Sequence, residues 1–286
     1  MHLLSALFPD HELFQELIKL HPTTSTLFQP PLDMSQLLED LQKARVYRKC
    51  DTNKGSNECW KWASSVNRDE SGMAKFLNDA LNVVKKVTGE FKAKQTWVVH
   101  GASSLLKELD ANQKPDLALV PVDATKKSLD WRDISIVGEM KKQKTASTVK
   151  QSYIEVAGKT ALLLYTQDGR HSAPSLQILG NHIILMFFDR GGSLLTVPID
   201  INKYPEEFLH ALIGILQVPL THIGFDETVL WDRDRRKCIV VVLGDQVGTE
   251  VVLDRLIFIS DALHGHGTMV WAAKLMSALS GSASIS

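Results

Sequence analysis

Residues 114–151, KPDLALVPVDATKKSLDWRDISIVGEMKKQKTASTVKQ, constrain the fold more than any other stretch of the chain. Two short apolar segments lie within it. The first, 117–120 (LALV), is stopped by Pro121, and the second, 134–138 (ISIVG), runs into Glu139-Met140-Lys141. Each has the length of a strand, too short for a helix, and is bounded by Pro, Asp or Lys. Side chains alternate along a strand, so Glu139 and Lys141 share one face while Met140 takes the other. Antiparallel pairing of the two strands would set Asp116, at the start of one, beside Glu139, near the end of the other. Two carboxylates and an ammonium would then converge at a sheet edge. The plainer alternative is an exposed strand end carrying ordinary charges.

The flanking sequence predicts helices on either side. An apolar spacing at 13–20 ends at Pro22 and gives way to a Thr/Ser/Pro-rich loop over 22–31. Asp33 or Ser35 then caps a helix through Leu37, Leu38, Leu41 and Ala44. Trp60 and Trp62 read as packing residues. Met73, Phe76, Leu77, Ala80, Leu81, Val84 and Val87 form a helical stripe ending at Gly89, with Glu70 in the dipole-favoured first turn. Strands follow at 95–100, 115–121 and 134–141. A helix over 146–165 is read from Val149, Ile154, Ala157, Ala161, Leu162 and Leu164. Residues 176–179 read as a short strand and 181–188 as a buried one. The turn 189–192 returns the chain as a strand over 193–199, and Pro205 opens a helix through Phe208, Leu209, Leu212, Ile215 and Leu216.

Composition narrows the partners. A hydrophobic content of 44% against 23% charged residues is that of a globular chain, and a formal net charge of −1 supplies no global field toward nucleic acid. Phosphate binding would need a local patch. The acid-free run holding Lys141, Lys142, Lys144 and Lys150 offers one, although a solvated loop leading into a helix is the commoner explanation of such a run. Cys50, Cys59 and Cys238 make neither an even framework nor a metal-ligand spacing, and read as reduced thiols of an intracellular protein. No apolar run reaches bilayer length, so no membrane partner is expected.

The trio Asp116, Glu139 and Lys141 resembles the PD-(D/E)XK signature of the restriction-endonuclease-like superfamily. That resemblance implies an α/β restriction-endonuclease-like core, a mixed central sheet flanked by helices, here with an N-terminal helical extension. It also implies Mg²⁺, a cation bound through one or two carboxylates with several waters retained. Asp116 and Glu139 would hold it, with Glu70 either a further ligand or a plain capping acid. Lys141 would orient the attacking water. Gln151 and Tyr153 would touch the scissile strand while Lys142, Lys144 and Lys150 hold phosphates. Related exonucleases space this pair Gln-x-x-x-Tyr, whereas the spacing here is Gln-x-Tyr.

Residues 137–226 also resemble the fungal-type protein kinase family. The features are the Glu-x-Lys strand, a Gln-x-x-Arg step at Gln167 and Arg170, a Phe-Asp-Arg-x-Gly hairpin at 188–192, Asp200-Ile201, and IGFD at 223–226. Beyond a short strand at 256–260, HGHGTMVW resembles the glycine-rich loop of that family, with Gly265 and Gly267 letting backbone approach phosphates. The third-strand lysine, the catalytic-loop Asp and Asn, and an Asp-Phe-Gly do not follow within these residues, and Lys274 lies too near the loop to be that lysine. The expected organisation is an N-terminal helical extension (1–65), a nuclease-like domain (66–230) and the opening of a kinase N-lobe (231–286). The expected function is that of a truncated kinase-family protein. Its nuclease-like domain serves as a regulatory or interaction module with a protein partner, and ATP is not expected. The alternative is a Mg²⁺-dependent nuclease that meets nucleic acid through the lysine run. A third reading is a binding scaffold using the hairpin 183–197 and the N-terminal helices.

Overall fold

The computed structural model describes residues 33–49, 60–62, 69–88, 95–99, 114–122, 129–167, 169–217, 223–226, 228–231, 238–243, 248–259 and 269–275. The helix expected at 13–20, Cys50, Cys59 and the loop with Gly265 and Gly267 lie outside them.

Alternation along the strands sorts the apolar side chains onto two faces of one sheet. The strands are β3 (Gln95–Val98), β4 (Leu117–Pro121), β5 (Ile136–Lys141), β6 (Ser172–Leu179), β7 (His182–Asp189), β8 (Ser193–Leu195) and β9 (Ile199–Asp200), following a small ladder of β1 (Tyr47–Lys49) and β2 (Trp60–Trp62). They run in the order β3-β4-β5-β6-β7-β8, with β9 also paired to β7. Every ladder is antiparallel except β5 with β6. Parallel neighbours require a crossover, and the long helix between them supplies it. The helices are α1 (Met34–Lys43), α2 (Glu70–Thr88), α3 (Ala146–Thr166) and α4 (Pro205–Gln217).

On β4, Leu117 and Leu119 point into a core built with α1, α2 and α4, whereas Ala118 and Val120 join Leu163 and Leu164 of α3. The same parity holds on β7, where Ile183 and Leu185 face the first core and Ile184, Met186 and Phe188 face the α3 side. The result is a mixed α/β arrangement, a mostly antiparallel central sheet with helices on both faces. Tyr47, just after α1, packs edge-on against Phe76 of α2 at 5.4 Å, and Phe76 stacks on Phe208 of α4 at 5.8 Å. Residues 34–47 therefore share one core with the helices behind the sheet.

Helix ends follow sequence chemistry. Asp33 caps α1 by accepting from Gln36 N, and Asp69 Oδ1 accepts from Gly72 N at 2.7 Å at the start of α2. Thr145 and Thr148 form a reciprocal capping box on α3.

Four expectations are corrected. Strand β5 starts at Ile136, not residue 134, because the 3-10 turn Trp131–Asp133 occupies the chain just before it. Strand β6 is eight residues long, not four. Pro174 is tolerated because it pairs only with Phe187 of β7, the β5 ladder beginning at Ser175. The return strand over 193–199 is broken into β8 and β9, with Pro198 and its restricted neighbour Val197 in the gap. The buried stripe of α3 is Ser152, Val156, Lys159, Thr160, Leu163 and Leu164, while Ile154 is 59% exposed.

A second, four-stranded antiparallel sheet consists of β10 (Val229–Trp231), β11 (Cys238–Leu243), β12 (Gly248–Ile259) and β13 (Met269–Leu275) in sequential order. Lys274 there pairs with Asp254 at 2.9 Å. Among the described residues no helix is long and apolar enough to cross a membrane.

Candidate functional site

The register of β4 on β5 pairs Leu117 with Gly138, which places Asp116 opposite Glu139. Both lie on the face of the sheet covered by α3, the face that Ala118 and Val137 also share. Asp116 Oδ2 accepts the Met140 N–H at 2.8 Å, so its carboxylate is tied to the backbone beside Glu139. Lys141 Nζ donates to Glu139 Oε1 at 3.1 Å. Glu139 and Lys141 are thus bonded to each other, and Asp116 is held beside them through the Met140 backbone, as antiparallel pairing of the strands allows.

Helix α3 adds two residues that the motif reading missed. Lys159 Nζ donates to Glu139 Oε2, and Lys141 Nζ also donates to Glu155 Oε2 at 2.5 Å. Both oxygens of Glu139 are thus engaged by ammonium groups, with its side chain only 3% exposed. Gln151 Nε2 completes the cluster by donating to Glu155 Oε1 at 2.8 Å. Glu155 and Lys159 lie one turn apart on the same helix, a signal visible in sequence once the face of α3 is known.

Burial drives the Glu139 carboxyl up to about 8, its hydrogen bond to Glu155 and the nearby Asp116 charge adding to the rise while Lys159 opposes it. Glu155 moves the other way, to about 2, held down first by its bond to the Glu139 carboxyl and then by Lys141 and Gln151.

The other expected site residues are placed elsewhere. Gln151 and Tyr153, two positions apart, are separated by about 200° around a helix. Tyr153 accordingly turns toward the hairpin, its hydroxyl 2.9 Å from Ser193 Oγ and its ring 6.1 Å from that of Phe188. Glu155 occupies the i+4 position on the face of Gln151. Lys142, Lys144 and Lys150 are exposed on the loop after β5 and the first turns of α3. Glu70 is exposed in the first turn of α2. Among the described residues no three His, Cys, Asp or Glu side chains form a group that could hold a metal ion. The donor set does not fit Mg²⁺, since a hard dication needs carboxylate oxygens that Glu139 has already given to two lysines.

Several residues that carry the second resemblance, Gln167, Arg170, Arg190 and Phe225, gather at the C-terminal end of α3. Gln167 Nε2 donates to the carbonyls of Trp131 (2.8 Å) and Ile134 (2.7 Å). Arg170, 2% exposed, donates to Gln167 Oε1, to the carbonyls of Ser172, Ser135 and Ile223, and weakly to that of Ile134. Its guanidinium stands 4.5 Å from the Phe225 ring centroid, and burial pushes its pKa down to about 9, still charged at neutral pH. Arg190 Nη2 caps the Leu164 carbonyl at 3.1 Å, and Asp189 Oδ1 accepts from Gly191 N and Gly192 N to close the hairpin turn.

Fold and site together define a mixed α/β protein with a largely buried cluster of carboxyl and ammonium groups and a second antiparallel sheet. A family model described as Fungal protein kinase matches residues 114–279, more than half of the chain, and the chain belongs to that family. The match spans β4 through β13 and takes in the trio, the Gln-Arg step and the second sheet. No curated protein and no solved structure matches it.

Proposed function

We propose that the α/β unit of this fungal protein kinase-family chain is a non-catalytic regulatory or interaction module built on a restriction-endonuclease-like core. The order α2, three antiparallel strands, α3, then a strand parallel to the third supports that core. The observation that carries the non-catalytic reading is the Glu139 carboxyl, held between Lys141 and Lys159 under α3 with neither oxygen left to an ion. Opening the site to a dication would break the buried hydrogen bonds that Lys141 and Lys159 donate to Glu139. A second support is where the family's motif residues act. Gln167, Arg170, Asp189 and Arg190 all bond to backbone or to one another, which makes them determinants of shape.

The nuclease reading has one observation in its favour, the convergence of Asp116, Glu139 and Lys141. The lysine run would be its phosphate contact. One assay separates the two. The full chain is incubated with supercoiled plasmid, single-stranded DNA and RNA, in Mg²⁺, in Mn²⁺ and in chelator. The module reading predicts no metal-dependent cutting of any substrate. Cutting that vanishes in Asp116→Asn and Lys141→Ala would install the nuclease in its place.

A further inference from the structure

Three segments distant in sequence are stapled together by Arg170. Its Nη2 reaches the Ser135 carbonyl at 2.6 Å, ahead of β5, and the Ile223 carbonyl at 3.2 Å, ahead of β10. Backbone bonds run beside it. His171 N donates to Gly224 O at 2.7 Å and Asp226 N to Gly169 O at 2.6 Å, an isolated antiparallel bridge between Arg170 and Phe225. Gly224 sits at φ +96, and a Cβ on it would lie 1.9 Å from the Ser172 carbonyl oxygen, so only glycine allows this contact. A Cβ on Gly169 would meet the Val229 side chain at 2.7 Å, so the first residue of β10 presses on the same spot. Asp226 then turns the chain, its carboxylate accepting from Thr228 N and Thr228 Oγ1.

A buried guanidinium with five donor contacts and no carboxylate among them is costly to desolvate. Its acceptors are mostly backbone carbonyls from separate segments, so what it provides is position. We propose that Gln167 and Arg170 form the joint by which the first sheet grips residues 223–226 and Val229 and fixes where the second sheet begins. Gln167, at the C-cap of α3, is the positioning residue. Among the described residues it makes no hydrogen bond to 223–226, yet it orients Arg170 through Oε1 at 2.9 Å. Because α3 also carries Glu155 and Lys159, one continuous helix links the charge cluster to the joint. This inference goes beyond the module reading and holds or fails independently of it.

The test is amide hydrogen exchange, with limited proteolysis, on the full chain and on Gly224→Ala and Gln167→Leu. The joint predicts exchange faster by about tenfold or more at Gly224–Val229 and His171 in both variants, with the β4–β5 and β6–β7 amides still protected, since local opening need not be global. Proteases should then cut in this segment first. Two results would overturn it. One is unchanged exchange across 223–229 in Gly224→Ala. The other is exchange in the same segment left at the wild-type rate in Gln167→Leu.

Discussion

Arg170→Met should abolish cooperative folding. The substitution removes hydrogen bonds from the carbonyls of Ser135, Ser172 and Ile223 and from Gln167 Oε1, all near the buried guanidinium. Each buried polar group left unpaired costs about 1–3 kcal/mol. Four of them approach or exceed the roughly 5–15 kcal/mol by which domains are stable. The loss of the Phe225 contact adds to it. Near-UV circular dichroism and a urea titration check this. The expected result is a chain with no native baseline, while Arg190→Met, which frees only the Leu164 carbonyl, should keep a cooperative transition.

Lys159→Met should produce the second largest effect, and one that depends on pH. In the native protein Glu139 sits near 8, above its unfolded value, so the folded state holds a proton that the unfolded chain has lost. Stability from this group is complete below the unfolded value and declines as pH rises through 8. Glu155, held near 2, behaves oppositely. Its contribution is present above the unfolded value and is lost as pH falls toward 2. Lys159 opposes the rise of Glu139, so its removal drives that pKa higher still. At pH 9 the variant must either bury a carboxylate with one lysine fewer or take up a proton, and about 3–5 kcal/mol should be lost, as for a broken buried pair. At pH 6 the carboxyl stays neutral, and the loss should shrink to that of a hydrogen bond, about 1 kcal/mol. Urea midpoints for both proteins at the two pH values measure the difference. Equal losses would mean that Glu139 does not titrate in this range.

The sequence exposed the parts of this molecule whose residues obey a period. Strands β4 and β5, their antiparallel register and the convergence of Asp116 with Glu139 follow from short apolar runs with charged ends. The cap at Asp33 follows from turn chemistry, whereas the cap of α2 is Asp69 and not the Glu70 read from the sequence. What stayed hidden was the face of α3. Apolar periodicity selects Ile154 and Leu162, but half of the buried stripe is Ser152, Lys159 and Thr160, which a hydrophobic pattern cannot flag. One of those polar residues, Lys159, is the one that decides the site. Once Lys159 is known to lie under the helix, a reading of Glu139 as a metal ligand becomes a reading of Glu139 as the acceptor of two lysine ammonium groups. The second sheet was hidden for another reason. The β12 ladder shifts register between Leu253 and Arg255 and again between Leu256 and Phe258, so alternation never persists long enough to mark its 12 residues as one strand.

Titration calorimetry of the full chain with Mn²⁺ at pH 8.5, where the Glu139 carboxyl has largely lost its proton, tests the central claim most directly. A carboxyl locked between Lys141 and Lys159 predicts no saturable heat up to millimolar metal. A saturable isotherm that is lost in Glu139→Gln and retained in Glu70→Gln would contradict it.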